Sequence, residues 1–466
     1  MPENRGRSSG RAGDMEPVGE GEHGMGHDAN GYLVSKKYSY YVFVLLFLLY
    51  LFNYMDRMVV VSLFPFLGRE WGISDTQSGL LVSAAYWAIL IFALPFSVLI
   101  DRGSRSKGIA IMAIVWSAAT AVCGFTKSFA QLFAARAVVG IGESGFAPGG
   151  TAVISALFPE KKRAAVMGVW NASIPLGSAL GIAIGAMVAE HFGWRYAFWL
   201  VALPGIIVGI MFWHTKDYQT VKLTKTVDGG AGGEIKKKMG MGEIVGDFMR
   251  TRSLVLTYLA FAGNTFVTTS LMSWLPTYLQ RTYDLSMSRA GLMGGLVMML
   301  AIVGAPLGGF LADKWCVRRA DARMMFCAAS SLVSAVIFFA AFAFAGGTSQ
   351  YLLLLAGGIA VVAFVPAGAA VTQDVVHPGL RAVSYSICVV TQHILGSALG
   401  PVVVGAVSDA YDIGTAMLIL PAFTLGAALL FLAGSRFYIG DVSRVEKVEL
   451  KIKDSDASGL KGAAQG

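Results

Sequence analysis

The chain has 466 residues, of which 55% are hydrophobic and only 14% charged, with 56 glycines. Soluble globular proteins average about 45–50% apolar and about 25% charged residues, so this composition departs in the membrane direction. A net charge of +8 would suggest nucleic acid in a soluble protein, but here the basic residues concentrate between apolar segments, where they report topology, and no nucleic-acid partner is expected.

Residues 1–37 are polar and rich in Gly, Glu and Arg, without the apolar core of a signal peptide, and read as a disordered cytoplasmic tail. A membrane span needs about 20 mostly apolar residues. Twelve segments qualify. The first, 38–67, carries Asn53 and the adjacent charges Asp56 and Arg57. The second, 76–100, holds Tyr86 and Trp87 and runs into "SVLIDRGSR". After the third, 108–125, the fourth, 129–157, contains Arg136 and Glu143 within "RAVVGIGESGFAP". The fifth, 164–190, contains Asn171 and "LGSALG", and the sixth is 195–213.

Residues 214–252, with "DGGAGGEIKKKMGMGE", read as a flexible cytoplasmic linker. Beyond it come 253–281, with Asn264, Thr265, Thr268 and Trp274; 289–312, followed by Asp313; 322–345; and 350–373, ending on Gln373. The last two are 382–408, with Gln392, His393 and a second "LGSALG", and 413–437, before a tail over 438–466. The spacing therefore predicts an all-α polytopic membrane protein with two six-helix bundles, 38–213 and 253–437. Cys123, Cys316, Cys327 and Cys388 lack metal-ligand spacing and read as structural thiols.

With a cytoplasmic amino terminus, the inner loops hold nineteen Lys or Arg against five outside (Arg69, Lys127, Arg195, Arg281, Arg289), so both termini are expected inside. The halves repeat each other. "LGSALG" recurs at Leu176–Gly181 and Leu395–Gly400, and "SVLIDR" at Ser97–Arg102 matches "GFLADK" at Gly309–Lys314. Both pairs fall at corresponding places in each half. Two parallel six-helix repeats are a transporter design, with the binding site between them near the midplane. No P-loop, His-Glu-x-x-His or Gly-x-Ser-x-Gly elbow is present, which argues against an enzyme. A channel fits the two-half repeat less well than alternating access does.

These residues resemble the major facilitator superfamily over roughly 38–437. The family's loop motif Gly-x-x-x-Asp-Arg-x-x-Arg appears as "SVLIDRGSR", with Ser97 in place of the leading glycine, and Gly309 and Asp313 keep its second copy. Gly168, Gly177, Gly181 and Gly185 match the spacing of the antiporter motif, except that Ile182 stands where that motif has proline. "NYMDR", "RAVVGIGESGFAP" and "IPLGSALG" are similar to the Spinster branch. That resemblance implies a proton-coupled carrier, driven by a proton gradient without a cofactor, that exports sphingosine-phosphate or lysophospholipid types. The runner-up is the anion–cation symporter branch, which moves small organic anions such as sugar acids.

Intramembrane charges are costly and default to function. Arg136 and Glu143 are two helical turns apart and share a face; they lie about 10 Å and about 21 Å from the outer end, and Asp56 and Arg57 lie about 17 Å deep. The first and fourth helices are neighbours in the resembled fold, so one cluster, Asp56–Arg57–Arg136–Glu143, is expected at the central cavity. The alternative is a structural ion-pair network holding two helices together. In the functional reading, Glu143 or Asp56 carries the proton, Glu143 ranking first, and Arg57 or Arg136 alternates between a carboxylate and the substrate's anionic head. Symport and exchange both remain open.

Asn53, Tyr86, Trp87, Asn171, Asn264, Thr265, Trp274, Gln392 and His393 are candidate cavity residues, although such aromatics more often serve packing and an interhelical hydrogen bond accounts equally for His393. Asp101, with Arg102 and Arg105, is expected to lock the cytoplasmic gate against the helix start near Arg381, with Asp313 as its counterpart and Glu160 and Arg163 as further candidates. The expected partners are protons, the lipid bilayer and an amphipathic or anionic small molecule. The protein is expected to be a monomer in a bacterial inner membrane.

Overall fold

A computed structural model of the chain describes residues 34–102, 104–216, 241–377 and 380–445, and all regular secondary structure among them is helical. The expected tails over 1–33 and 446–466 and most of the linker lie outside the described residues. Of that linker, Met241–Arg250 forms a short helix, and the last span continues to Ser443.

Among the described residues, eleven helices are long and apolar enough to cross a membrane, against the twelve expected. The difference is the fourth segment, which is two shorter helices, Phe129–Glu143 and Phe146–Leu157. Pro148 has no amide hydrogen to give the Ser144 carbonyl, and a proline ring crowds that same carbonyl, so the helix breaks just after Glu143. End to end, the two pieces supply the twelfth passage.

Proline shapes two other spans in the same way. In Lys36–Trp71, the turn Val60–Leu63 tightens to a 3₁₀ helix ahead of Pro65, one turn beyond Arg57. In Val383–Ala410, His393–Ser397 widens to a π turn ahead of Pro401. That turn covers the first half of the second "LGSALG", whereas the first copy is ordinary α-helix within Ser173–Phe192. The hexapeptides are identical; the next residue is Ile182 in one and Pro401 in the other. Pro401 withdraws the amide that would bond the Ser397 carbonyl, and the backbone accommodates the loss locally.

The first and fifth spans pack along a glycine ridge. A β-carbon at Gly177 would sit 2.5 Å from the Leu51 carbonyl oxygen, and one at Gly181 would sit 2.6 Å from that of Met55. Only glycine permits this approach, which fixes the stretch of the first span carrying Asp56 and Arg57. Between the halves, the fifth span packs on the eighth and the second on the eleventh.

At the end away from the termini, acids from one half cap helix starts in the other. Asp409 accepts from the amides of Asp75 and Thr76, both at 2.8 Å, and from the Thr76 hydroxyl at 2.6 Å. Asp75 in turn accepts a two-pronged contact from Arg281, at 2.6 and 2.7 Å, and a hydrogen bond from Ser408. Glu190 accepts from the Ser288 amide at 2.8 Å. Free amides at a helix start attract anions, so these contacts clamp the two bundles together at this end.

Candidate substrate and coupling site

The four charged residues of the first and fourth spans meet as two ion pairs. Arg57 Nε donates to Glu143 Oε2 at 2.8 Å. Arg136 donates to Asp56 twice, to Oδ1 at 3.3 Å and to its carbonyl at 3.2 Å. The sequence places these groups on adjoining helices at similar depth. Long side chains bridge the two helices, while the Phe129–Glu143 helix itself packs closely on the second span, where a β-carbon at Gly140 would lie 2.4 Å from the Ala85 carbonyl oxygen.

The two pairs differ in access. Asp56 and Arg136 are each only 1% exposed. In the other pair the Glu143 side chain is fully buried, whereas that of Arg57 keeps 11% of its surface. Arg57 is therefore the more accessible cation of the cluster. Glu143 Oε1 and Arg136 Nε have no hydrogen-bond partner among the described residues, so each pair has spare capacity.

Aromatic rings frame Arg57. Its guanidinium carbon lies 5.0 Å from the centre of the Tyr54 ring and 5.6 Å from that of Tyr86, within cation–π range. Tyr86 then stacks on His393 of the other bundle, with ring centres 5.7 Å apart. The π turn carries His393, so Pro401 helps set where this stack forms. Tyr54 was outside the candidates read from the sequence; its position three residues before Arg57, nearly one helical turn, is the signal that would have found it.

The remaining candidates fall in several places. Asn53 is buried one turn before Asp56, and neither of its side-chain polar atoms has a partner among the described residues. Trp87 is half-buried and Asn171 exposed. Asn264 donates to Ser331 at 2.9 Å, tying the seventh span to the ninth. Trp274 is buried, donates to the Pro401 carbonyl at 2.9 Å and packs on Phe64 of the first half. Thr265 donates to Gln392 at 3.1 Å, and both line a small cavity of about 150 Å³ with Thr268, Thr269, Tyr385 and Phe261.

For the gate, the side chains of Asp101, Arg102 and Glu160 lie outside the described residues. Arg105 is half-buried at the start of the third span, and Asp313 and Arg381 are exposed. Arg163 donates to the Phe158 carbonyl at 2.9 Å, closing the turn between the fourth and fifth spans.

A helical bundle in two halves, clamped at one end and holding paired charges at mid-depth, has the design of a membrane carrier. The family model of the Major Facilitator Superfamily matches residues 46–401, and the chain belongs to that family of integral, multi-pass membrane transporters. Among its relatives it is similar to the sphingosine-1-phosphate transporter SPNS2 of Xenopus tropicalis, 26% identical over 85% of this chain and 82% of that protein. It is similar to protein spinster of Drosophila melanogaster at 27% over 84% and 67%, and to the hexuronate transporter of Bacillus subtilis at 27% over 58% and 64%. Its fold is that of a bacterial homologue of the human lysosomal transporter Spinster solved in an inward-facing, unoccupied conformation. The TM-score is 0.76 at 24% identity, covering 88% of this chain and 99% of that one.

Proposed function

We propose that the protein is a proton-coupled secondary transporter that works by alternating access and exports an amphipathic substrate with an anionic or zwitterionic head. The observation that carries this reading is the Arg57–Glu143 pair, in which a fully buried carboxylate is held by a partly accessible guanidinium. A phosphate or carboxylate arriving at Arg57 competes for the fork that now holds Glu143. Once released, Glu143 is a buried carboxylate without its counter-charge, and it takes up a proton rather than remain ionised. Substrate and proton are thereby linked through one arginine.

Lipid-like cargo is supported by the likeness to the Spinster proteins and by the asymmetry of the halves. The charges of the cluster are all in the first bundle, while the second offers hydroxyls and aromatic or apolar walls at Thr265, Tyr385 and Phe261. The hexuronate relative supports a second reading, symport of a small organic anion with a proton at the same arginine. The direction of transport, a bacterial inner membrane and a monomeric carrier with both termini in the cytoplasm belong to the proposal. The loop acid Asp101, with Arg102, Arg105 and Asp313, is proposed to hold the opposite gate.

The test is flux of a labelled single-chain lysophospholipid through purified protein in liposomes under an imposed pH gradient. Gradient-driven flux is expected. Folded protein that moves a sugar acid but no lysophospholipid would overturn the lipid reading and favour the organic-anion symporter.

A further inference from the structure

A groove on the flank of the second bundle lies apart from the transport site. It runs between the eighth, ninth and tenth spans, has a volume of about 730 Å³, and takes no lining residue from the first half. Leu307 and Leu311 are each 44% exposed and Val333 is 51% exposed, so the groove opens away from the bundle, where a membrane helix meets lipid. Its floor is made of small residues such as Ala329, Ala356 and Ala360, which leave open the space a larger side chain would fill. The one hydroxyl there, Ser330, is satisfied by donating to the Ala360 carbonyl at 3.1 Å.

One end of the groove has different chemistry. Lys314, Trp315 and Arg318 line it where the eighth span ends, on the side of the termini. The side chains of Lys314 and Arg318 form no ion pair or hydrogen bond among the described residues. The adjacent Arg319, by contrast, is engaged by Asp321 through two hydrogen bonds of 2.8 and 2.9 Å. An apolar channel capped by two uncompensated cations and a tryptophan matches a phospholipid in order: chain, interface, phosphate. The volume lies within the range of about 300–1,000 Å³ usual for small-molecule sites.

We propose that this groove binds an anionic membrane phospholipid, with an acyl chain along Leu307 and Leu311 and the phosphate against Lys314 and Arg318. A net negative head is selected because a zwitterion would bring its own cation to a site that already holds two. The site is independent of the proposed transport chemistry, since it shares no residue with the Arg57–Glu143 cluster.

Trp315 supplies the readout. The full-length protein is placed in phosphatidylcholine bilayers containing phosphatidylglycerol with brominated chains, and Trp315 quenching is taken as the difference between the protein and its Trp315→Phe variant. Brominated phosphatidylglycerol is expected to quench several-fold more than brominated phosphatidylcholine at equal fraction. Lys314→Gln with Arg318→Gln is expected to abolish that preference, and Ala360→Phe, which fills the groove, to abolish quenching by both. Equal quenching by the two lipids in the unmodified protein would overturn the proposal, as would a preference that survives loss of both cations. The two glutamine changes are at exposed positions, so the test stands even if Ala360→Phe fails to fold; thermal unfolding of each variant checks this.

Discussion

Replacing Arg57 alone with methionine strands Glu143 in the bundle without a counter-charge. Breaking a buried pair from one side costs about 3–5 kcal/mol, whereas replacing both partners with apolar groups of similar volume is often neutral or stabilising. Arg57→Met is therefore expected to lower thermal stability sharply, and Arg57→Met with Glu143→Met to recover most of it, while transport is lost in both. A double-mutant cycle on unfolding and flux separates the two effects. Recovery of transport along with stability would mean that the pair only holds the helices together. The same logic applies to Asp56 and Arg136, where each residue is 1% exposed and the single variant Arg136→Met is the destabilising one.

At the scale of the element, proline and glycine decide where the charges stand. Pro401→Ile would return an amide to the Ser397 carbonyl, a gain of about 1 kcal/mol, and convert the π turn to α-helix like its counterpart in the fifth span. His393 would then shift against Tyr86, so we expect unchanged or raised thermal stability together with a loss of flux of about tenfold, equivalent to about 1.4 kcal/mol. Unchanged flux would show that the stack does not matter to transport. Gly181→Val places a β-carbon 2.6 Å from the Met55 carbonyl oxygen. Such overpacking typically costs about 1–3 kcal/mol and here would push the first span, with Asp56 and Arg57, off the fifth. Lower thermal stability and flux are the expected readings. The sequence placed the spans because long apolar runs survive any local irregularity. It did not reveal the break after Glu143 or the π turn at His393, because both arise from a missing amide several residues further on, at Pro148 and Pro401.

For the whole molecule, the clamp at the end away from the termini defines one of the two states of the proposed alternating-access cycle. Arg281→Gln removes the two-pronged contact to Asp75. The Arg281 side chain is 39% exposed, so the pair contributes at most about 1 kcal/mol, or about fivefold in population. Distances between spin labels on this face are expected to show a larger share of the separated state in Arg281→Gln, and an unchanged distribution would remove this contact from the gate. Asp75, Arg281, Ser408 and Asp409 were not legible as a unit in the sequence, since more than 300 residues separate Asp75 from Asp409 and nothing local links them. The two-bundle architecture and the mid-depth charges were legible, because intramembrane charge is rare enough to be noticed without a partner in view. How the charges pair was not, since periodicity gives a shared face and depth but not which carboxylate each guanidinium reaches.

The most direct measurement compares the unmodified protein with Glu143→Gln in liposomes, following lysophospholipid flux across a series of imposed pH gradients. Glutamine preserves the shape of the side chain but neither carries a proton nor holds Arg57 as an ion. Flux through the unmodified protein is expected to rise with the gradient, and flux through Glu143→Gln to lose that dependence. A Glu143→Gln protein whose flux still follows the gradient would contradict proton coupling at this pair.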